Sequence, residues 1–195
     1  MLTGLDQLEF RILDWIADTF QSGWIDSLAP MVSFLADGGW FWILLAVALL
    51  FWKPGRKVGL TMALALILSF LVCNVTLKPL VGRARPFDLN PSVRLLIPKP
   101  ADYSFPSGHT QSSFAAATAI YRNKRLPGAA ALALAALIGL SRLYLYVHFV
   151  TDVLAGALIG YLLGCLADTL INEMRYRHNA KKRKKTRTAP NRAKR

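Results

Sequence analysis

Charged residues are scarce and unevenly placed in this 195-residue chain, which is 54% apolar and only 18% charged. Residues 1–173 contain 13 of the Lys and Arg residues and all 11 acidic residues, so this part is nearly neutral. Uncharged stretches run from Val58 to Leu77 and from Tyr103 to Tyr121. Each is close to the ~20 residues with which a helix spans a bilayer. This pattern argues against a soluble globular protein.

Cysteine and metal-ligand clusters are also scarce. The two cysteines, Cys73 and Cys165, lie in separate apolar runs and form no CxxC pair, which argues against a disulfide framework or a zinc site. No group of Asp, Glu and His has the spacing of a divalent-ion site. We therefore expect no metal and no cofactor.

The first half of the chain predicts an interfacial helix followed by membrane spans. Apolar residues recur at helical spacing from Leu5 to Phe20, so residues 1–23 form an amphipathic N-terminal segment. The apolar stretch from Ser27 to Trp52 is interrupted by Asp37-Gly38-Gly39, which allows one kinked span or two helices. Val58 to Leu77 is a continuous span, which Lys78-Pro79 is expected to end.

The second half predicts a proline-rich loop and three further helices. Five prolines between 81 and 106 favour an extramembrane loop, and Ser107 then has the position of an N-cap for a helix to about Tyr121. Two more spans follow, to about Val147 and from about His148 to Asn172. We expect an all-α membrane bundle of five or six transmembrane helices in residues 1–173. The basic residues 174–195 are expected to form a disordered cytoplasmic tail.

The distribution of Lys and Arg predicts the orientation, because positively charged loops stay on the cytoplasmic face. The turns at 53–57 and 122–125 and the tail together contain 17 basic residues, whereas the opposite side contains six. The tail is therefore predicted to be cytoplasmic in a cell-membrane protein. The proline-rich loop, the start of the Ser107 helix and the segment from Arg142 to Asp152 then meet at the extracytoplasmic face.

Polar and ionisable residues gather at that predicted extracytoplasmic face, although the chain otherwise avoids charge. Ionisable residues at membrane depth are costly and commonly functional. Lys78, Arg85 and Arg142 predict a site for a doubly charged oxyanion such as phosphate, since Arg offers a planar fork of donors and Lys a point charge. Arg83 and Arg94 are instead expected to be interface anchors.

Two short segments predict the chemistry of this site. Pro106-Ser107-Gly108-His109 begins a helix and predicts a phosphate cradle, because glycine lets the backbone approach an anion to which free N–H groups point. His148 and Asp152 are four residues apart and would share a helix face. The carboxylate would bind one imidazole nitrogen and leave the other as a nucleophile. His109 would be the general acid that protonates the leaving oxygen.

Three motifs occur in order between Lys78 and Asp152. They are Lys78 followed after six residues by Arg85-Pro86, then Pro106-Ser107-Gly108-His109, and then Ser141-Arg142 followed by His148 and Asp152. Together they resemble the three-part signature of the type 2 phosphatidic acid phosphatase (PAP2) superfamily. The short chain is also similar to the small bacterial undecaprenyl-pyrophosphate phosphatase branch of that superfamily.

This resemblance implies an integral membrane lipid phosphatase with a six-helix core, no metal and a phosphohistidine intermediate. It implies that His148 is the nucleophile, Asp152 its orienting partner and His109 the acid. It also implies a set of phosphate-binding residues, namely Lys78, Arg85, Ser107, Gly108 and Arg142.

The expected substrate is a lipid phosphate or pyrophosphate, and our preferred candidate is undecaprenyl pyrophosphate, hydrolysed to undecaprenyl phosphate. Phosphatidylglycerol phosphate and phosphatidate are the alternatives. A channel or transporter with an anion site is the non-enzyme alternative, but the charges lie at helix ends and not near the midplane as transporters require. The basic tail directly follows a span, which favours contact with membrane lipids and no nucleic acid.

Overall fold

The computed structural model describes residues 4–188, and within that range the chain forms helices and turns without strands. The predicted all-α bundle is confirmed. The α-helices are α1 (Gly4–Phe20), α2 (Gly23–Phe34), α3 (Trp40–Phe51), α4 (Arg56–Phe70), α5 (Lys78–Val81), α6 (Pro86–Leu89), α7 (Gly108–Asn123), α8 (Arg125–Tyr144) and α9 (Val150–Thr188).

Three helical stretches are long and apolar enough to cross a membrane, namely Lys53–Leu89, Arg125–Tyr144 and Val150–Arg183. The pair α2 and α3 forms a fourth candidate, bent by 43°. Gly38 and Gly39 lie in the bend with φ of 56° and 73°, left-handed values that favour glycine. By length and composition, the described residues therefore supply up to four spans, against the five or six expected.

The helix that contains Lys78 continues beyond the proline expected to end it. Residues 71–77 form a π-helical turn after α4, and α5 follows it without a break. Pro79 is tolerated because it stands in the first turn of this new α-helical segment, where its missing N–H is not needed. The helix ends instead at Gly82, which has φ of 60° and donates its N–H to the Lys78 carbonyl at 3.0 Å.

Helix α7 lies at the centre of the bundle and packs against α4, α8 and α9. Helix α9 presents Gly156, Gly160 and Gly164 to it at intervals of one turn. A Cβ on Gly160 would lie 2.3 Å from the backbone oxygen of Gln111, so only glycine fits there. Small residues of this kind let two helix backbones approach closely within a membrane.

The close approach of these helices brings their first turns together. The predicted N-cap Ser107 is confirmed, since its Oγ accepts a hydrogen bond from the Thr110 N–H. The Ser107 N–H donates to the backbone oxygen of Asp152 at 3.1 Å. The second and third sequence motifs are therefore joined directly by the packing of α7 on α9.

Helix α1 is present as predicted, and its buried side contains both apolar residues and an acid. Leu13 is fully buried, Phe10 and Ile16 pack on the same core cluster, and Glu9 is only 2% exposed. Leu5, Leu8 and Trp15 are more than half exposed. An acidic residue of this helix therefore faces the rest of the protein together with apolar ones.

The last helix continues past the domain boundary predicted at residue 173. Helix α9 extends from Val150 to Thr188 without a break, so residues 174–188 of the expected disordered tail are helical. Residues 189–195 of that tail lie outside the described residues.

Candidate active site

The side chains of His148 and Asp152 contact each other and are almost completely buried. His148 Nδ1 lies 3.5 Å from Asp152 Oδ2. The expectation that one helix holds both residues is wrong, because α9 begins at Val150 and His148 lies in the preceding loop. They meet because the Asp152 side chain turns back over the helix start, where Oδ2 accepts the Phe149 N–H at 2.9 Å.

The second imidazole nitrogen of His148 faces a cation. Its Nε2 lies 3.2 Å from Arg85 Nη1. Burial lowers the pKa of His148, so the imidazole is neutral near pH 7. With Nδ1 directed at Asp152, the lone pair of Nε2 points towards the Arg85 guanidinium.

Ser104 belongs to this site, although sequence reasoning missed it. It is fully buried, and its Oγ donates to Asp152 Oδ2 at 2.5 Å and lies 3.5 Å from His148 Nδ1. Its only signal in the sequence was its place three residues before Ser107, within the proline-rich loop. Ser104 therefore helps to fix the carboxylate that orients the histidine.

Arg83 was expected to be an interface anchor, and that expectation is wrong. Its Nη1 donates to Asp152 Oδ1 at 2.6 Å, and its Nη2 donates to Glu9 Oε2 at 2.5 Å. Because Glu9 is 74 residues away in the chain, spacing gave no sign of this pairing. Arg83 thus lies behind the His148–Asp152 pair and joins it to helix α1.

The three cations assigned to phosphate are all nearly buried, with exposures of 6% for Lys78 and 2% each for Arg85 and Arg142. Arg85 also donates from Nη1 to the Val147 carbonyl at 2.6 Å, which fixes the guanidinium. Arg142 is held through its Nη1 by the Ser33 hydroxyl. Its buried Nε has no hydrogen-bond partner among the described residues.

The carboxylate of Asp102 lies between two of these cations. Arg85 Nη2 donates to its Oδ1 at 2.6 Å, and Lys78 Nζ forms an ion pair with its Oδ2. Although burial alone would raise it, contact with Lys78 and Arg85 lowers the pKa of Asp102 to about 2. Its two oxygens contact the donors that would bind two oxygens of a phosphate. Sequence reasoning gave Asp102 no such role.

The start of α7 lies beside the same cations. A Cβ on Gly108 would lie 3.7 Å from Lys78 Nζ and 3.8 Å from Asn74 Oδ1, so the backbone comes close to the lysine head. The first N–H groups of a helix have no partner within the helix and favour an anion. Lys78 therefore lies next to the predicted phosphate cradle at the start of α7.

His109 contacts a carboxylate from the bend between α2 and α3. Its Nε2 lies 2.8 Å from Asp37 Oδ1. Burial lowers the pKa of His109 below its usual value, and the contact with Asp37 opposes this shift in part. The sequence indicated that Asp37 interrupts a helix but did not indicate this contact. The helical bend thus supplies a partner for the candidate acid.

Lys78, one of the three cations, lines an apolar cavity of about 640 Å³. Its polar end is formed by Lys78, Asp102, Gly108 and His109. Its remaining walls come mainly from apolar side chains of α3 and α4, among them Ile43, Val47, Leu50, Leu66, Ile67 and Phe70. A ligand with an anionic head and an apolar chain fits both parts of this cavity.

Comparison with known proteins identifies the family. The family model of the PAP2 superfamily matches residues 57–175. The chain belongs to the PAP2 superfamily. It is 33% identical over 146 residues to an undecaprenyl-diphosphatase of Sulfolobus acidocaldarius, a match that covers 73% of this chain and 70% of that protein. It is 31% identical over 147 residues to the undecaprenyl-diphosphatase BcrC of Bacillus subtilis, covering 73% and 72%.

A solved structure of the same superfamily agrees with this assignment. The crystal structure of Aquifex aeolicus LpxE superposes with a TM-score of 0.72 at 29% identity, covering 82% of this chain and 94% of that one. The resemblance drawn from the three motifs is therefore confirmed. This PAP2 protein is a membrane hydrolase that acts on phosphoric ester or anhydride bonds.

Replacement of Asp102 by Asn should strengthen the binding of orthovanadate, a phosphate analogue. The carboxylate competes with phosphate for Lys78 and Arg85, whereas the amide has the same shape and no charge. We expect the inhibition constant of vanadate to fall about 3- to 10-fold, the scale of a partly exposed ion pair. Since the pKa of Asp102 is about 2, the effect should be the same at every assay pH above about 4.

The control for this prediction is Asp18→Asn, which removes an exposed acid on α1. It should leave the inhibition constant unchanged. An equal or larger constant in Asp102→Asn would contradict the competition between carboxylate and phosphate.

Proposed function

We propose that this protein removes the terminal phosphate of undecaprenyl diphosphate and releases undecaprenyl phosphate. The observation that carries this proposal is the apolar cavity of about 640 Å³ whose polar end is lined by Lys78 and His109. Such a site suits a diphosphate head on a long hydrocarbon chain. The names of the two undecaprenyl-diphosphatase relatives favour the same substrate.

The chemistry proposed has two steps with a phosphohistidine between them. His148 Nε2 attacks the terminal phosphorus, the bond from phosphorus to the bridging oxygen breaks, and His109 gives its proton to that oxygen. Water then attacks the phosphohistidine and loses a proton to His109, and the P–N bond breaks to release inorganic phosphate. Asp152 stabilises the imidazolium that forms during the first step, as in other carboxylate-oriented histidines.

Phosphate would be held by charge-assisted hydrogen bonds from side chains and by the start of α7. The donors proposed are Lys78, Arg85, Arg142, Ser107 and the N–H of Gly108. Their positive charge would stabilise the oxygens of the transferring group, which is the task that a metal ion has in many other phosphatases. The mechanism proposed therefore needs no metal.

The site is proposed to face the extracytoplasmic side of the cell membrane, and the basic tail the cytoplasm. The excess of Lys and Arg in the turns at 53–57 and 122–125 supports this orientation. We further propose residues 1–173 as the phosphatase domain, because the uninterrupted run of basic charge begins after Glu173. The helical residues 174–183 would then contact anionic lipids at the inner surface.

The direct test is phosphate release by purified protein in detergent, with EDTA present throughout. We expect the highest kcat/KM for undecaprenyl diphosphate, compared with phosphatidylglycerol phosphate and phosphatidate. A preference for either glycerolipid would replace the proposed substrate. Complete loss of activity in EDTA, restored by Mg²⁺, would overturn the metal-independent mechanism.

The two histidines should differ in their response to the leaving group. His109→Ala removes acid assistance, which contributes about 10² to 10⁴ in rate, whereas His148→Ala removes the covalent step. A leaving group that needs no proton, such as p-nitrophenolate, should therefore partly rescue His109→Ala only. The measurement is kcat/KM on undecaprenyl diphosphate and on p-nitrophenyl phosphate for wild type and both variants.

The phosphoenzyme provides the control for these roles. An acid-labile phosphoenzyme should be trapped in wild type and be missing in His148→Ala. A phosphoryl group found on His109, or equal rescue of the two variants, would show that the roles are assigned wrongly.

The orientation can be tested with single cysteines in a variant that lacks Cys73 and Cys165. A cysteine at Asn90 should react with a membrane-impermeant thiol reagent in intact cells, because the proline-rich loop is proposed to lie outside. A cysteine at Lys124 should react only after the cells are opened. The reverse pattern would place the active site on the cytoplasmic face.

A further inference from the structure

Helix α1 directs its acidic side chains at the segment that contains the candidate nucleophile. Asp14 Oδ1 accepts a hydrogen bond from the Tyr146 hydroxyl at 2.7 Å. Glu9 Oε1 accepts from both the N–H and the Oγ of Thr151, each at 2.8 Å. Residues 146 and 151 lie on either side of His148. Helix α1 thus contacts this segment at both ends.

Tyr146 shows that this segment needs to be held. It is the non-glycine residue with positive φ in the described chain, at 58°, and it is 2% exposed. This backbone conformation is strained for a tyrosine. It persists only where surrounding contacts stabilise it. The hydrogen bond to Asp14 and the packing of Phe10 on Phe149 provide such contacts from α1.

Glu9 is the most deeply buried charged residue of α1, at 2% exposure. A buried carboxylate is costly unless charge and hydrogen bonds compensate it. Glu9 meets this condition, because one oxygen accepts two bonds from Thr151 and the other accepts Arg83 Nη2 at 2.5 Å. Each of its partners also lies next to Asp152 in sequence or in space.

Arg83 connects Glu9 to Asp152. Its Nη1 donates to Asp152 Oδ1 at 2.6 Å and to Thr151 Oγ1 at 2.7 Å, and its guanidinium lies 4.1 Å from the centre of the Phe149 ring. A continuous series of contacts therefore runs from Glu9 through Arg83 and Asp152 to His148.

The charges of Glu9 and Arg83 affect how tightly His148 binds a proton. Arg83 Nη2 also lies 3.4 Å from Asp6 Oδ1, so Asp6 offsets part of its charge. Without Glu9, more of the positive charge of Arg83 would act on Asp152 and lower the affinity of His148 for a proton. Glu9 offsets that charge. The other groups that act on the pair are Arg85 and Arg142 near His148 and Ser104 on Asp152, and none of them contacts Glu9.

We propose that Glu9 is a positioning residue that acts through Arg83 on Asp152, so that helix α1 forms part of the active site. This proposal rests on the roles proposed above for His148 and Asp152. In it, the buried Glu9 of α1 helps to fix the nucleophile, while residues such as Leu5 and Trp15 of the same helix remain exposed.

The test compares Glu9→Gln, Arg83→Gln and the control Asp18→Asn. Glutamine at position 9 keeps an acceptor for Thr151, and it removes both the charge and the acceptor oxygen that faces Arg83. We expect kcat on p-nitrophenyl phosphate to fall about 10- to 100-fold in Glu9→Gln, as when outer partners of metal-bound histidines are removed, with little change in KM. Asp18→Asn should match wild type, because Asp18 is an exposed acid of the same helix.

The pH profile separates positioning from a purely structural role. Catalysis needs neutral His148, so the acid limb of kcat/KM follows its ionisation. Glu9→Gln leaves more positive charge near His148 and should move this limb to lower pH, whereas Arg83→Gln should move it to higher pH. If Glu9 were only a structural anchor, neither substitution would move the acid limb. Activity would then fall only in proportion to the loss of folded protein that thermal unfolding measures.

Two outcomes would overturn the proposal. One is a Glu9→Gln variant with the kcat and pH profile of wild type. The other is a loss of activity fully explained by a lower unfolding temperature. Trapping of the phosphoenzyme on His148 in wild type, measured in parallel, keeps these outcomes distinct from failure of the proposed mechanism.

Discussion

The buried carboxylate of Asp152 is the interaction on which the rest of the site depends. It has no exposed surface, so its charge must be compensated within the protein. Its partners come from separate parts of the chain, namely Arg83, Ser104, Phe149 and His148. Because one side chain needs all of these contacts at once, the proline-rich loop and the start of α9 have to meet at one point.

The packing of two helices makes that meeting possible. The glycines of α9 let its backbone approach α7 closely, and the backbone oxygen of Asp152 then accepts the Ser107 N–H. The same contact places the free N–H groups of α7 beside Lys78. The close packing of α9 on α7, which helices in lipid favour, therefore also brings the proposed phosphate donors next to the proposed nucleophile.

The site combines a cationic and an apolar environment, and a lipid diphosphate needs both. Its cations are buried and fixed by protein acceptors, which reduces the reorganisation required when an anion binds. The cavity between α3 and α4 continues from Lys78 as an apolar surface, lined by residues such as Ile43 and Phe70. Helix α1 packs on the other side, with Leu13 and Glu9 both buried.

The sequence by itself determined the helical membrane bundle and the family, because uncharged stretches of about 20 residues and three ordered motifs are local features. It also singled out Lys78, Arg85, Ser107, His109, Arg142, His148 and Asp152, which the fold places around one end of the bundle. Only the tertiary structure showed the contacts of Glu9, Arg83, Asp37, Asp102 and Ser104. Their partners are distant in the chain or lie in irregular loops, so neither periodicity nor spacing marks them. For Glu9 burial was the deciding factor, since a charged side chain excluded from water requires a partner wherever the fold can supply one.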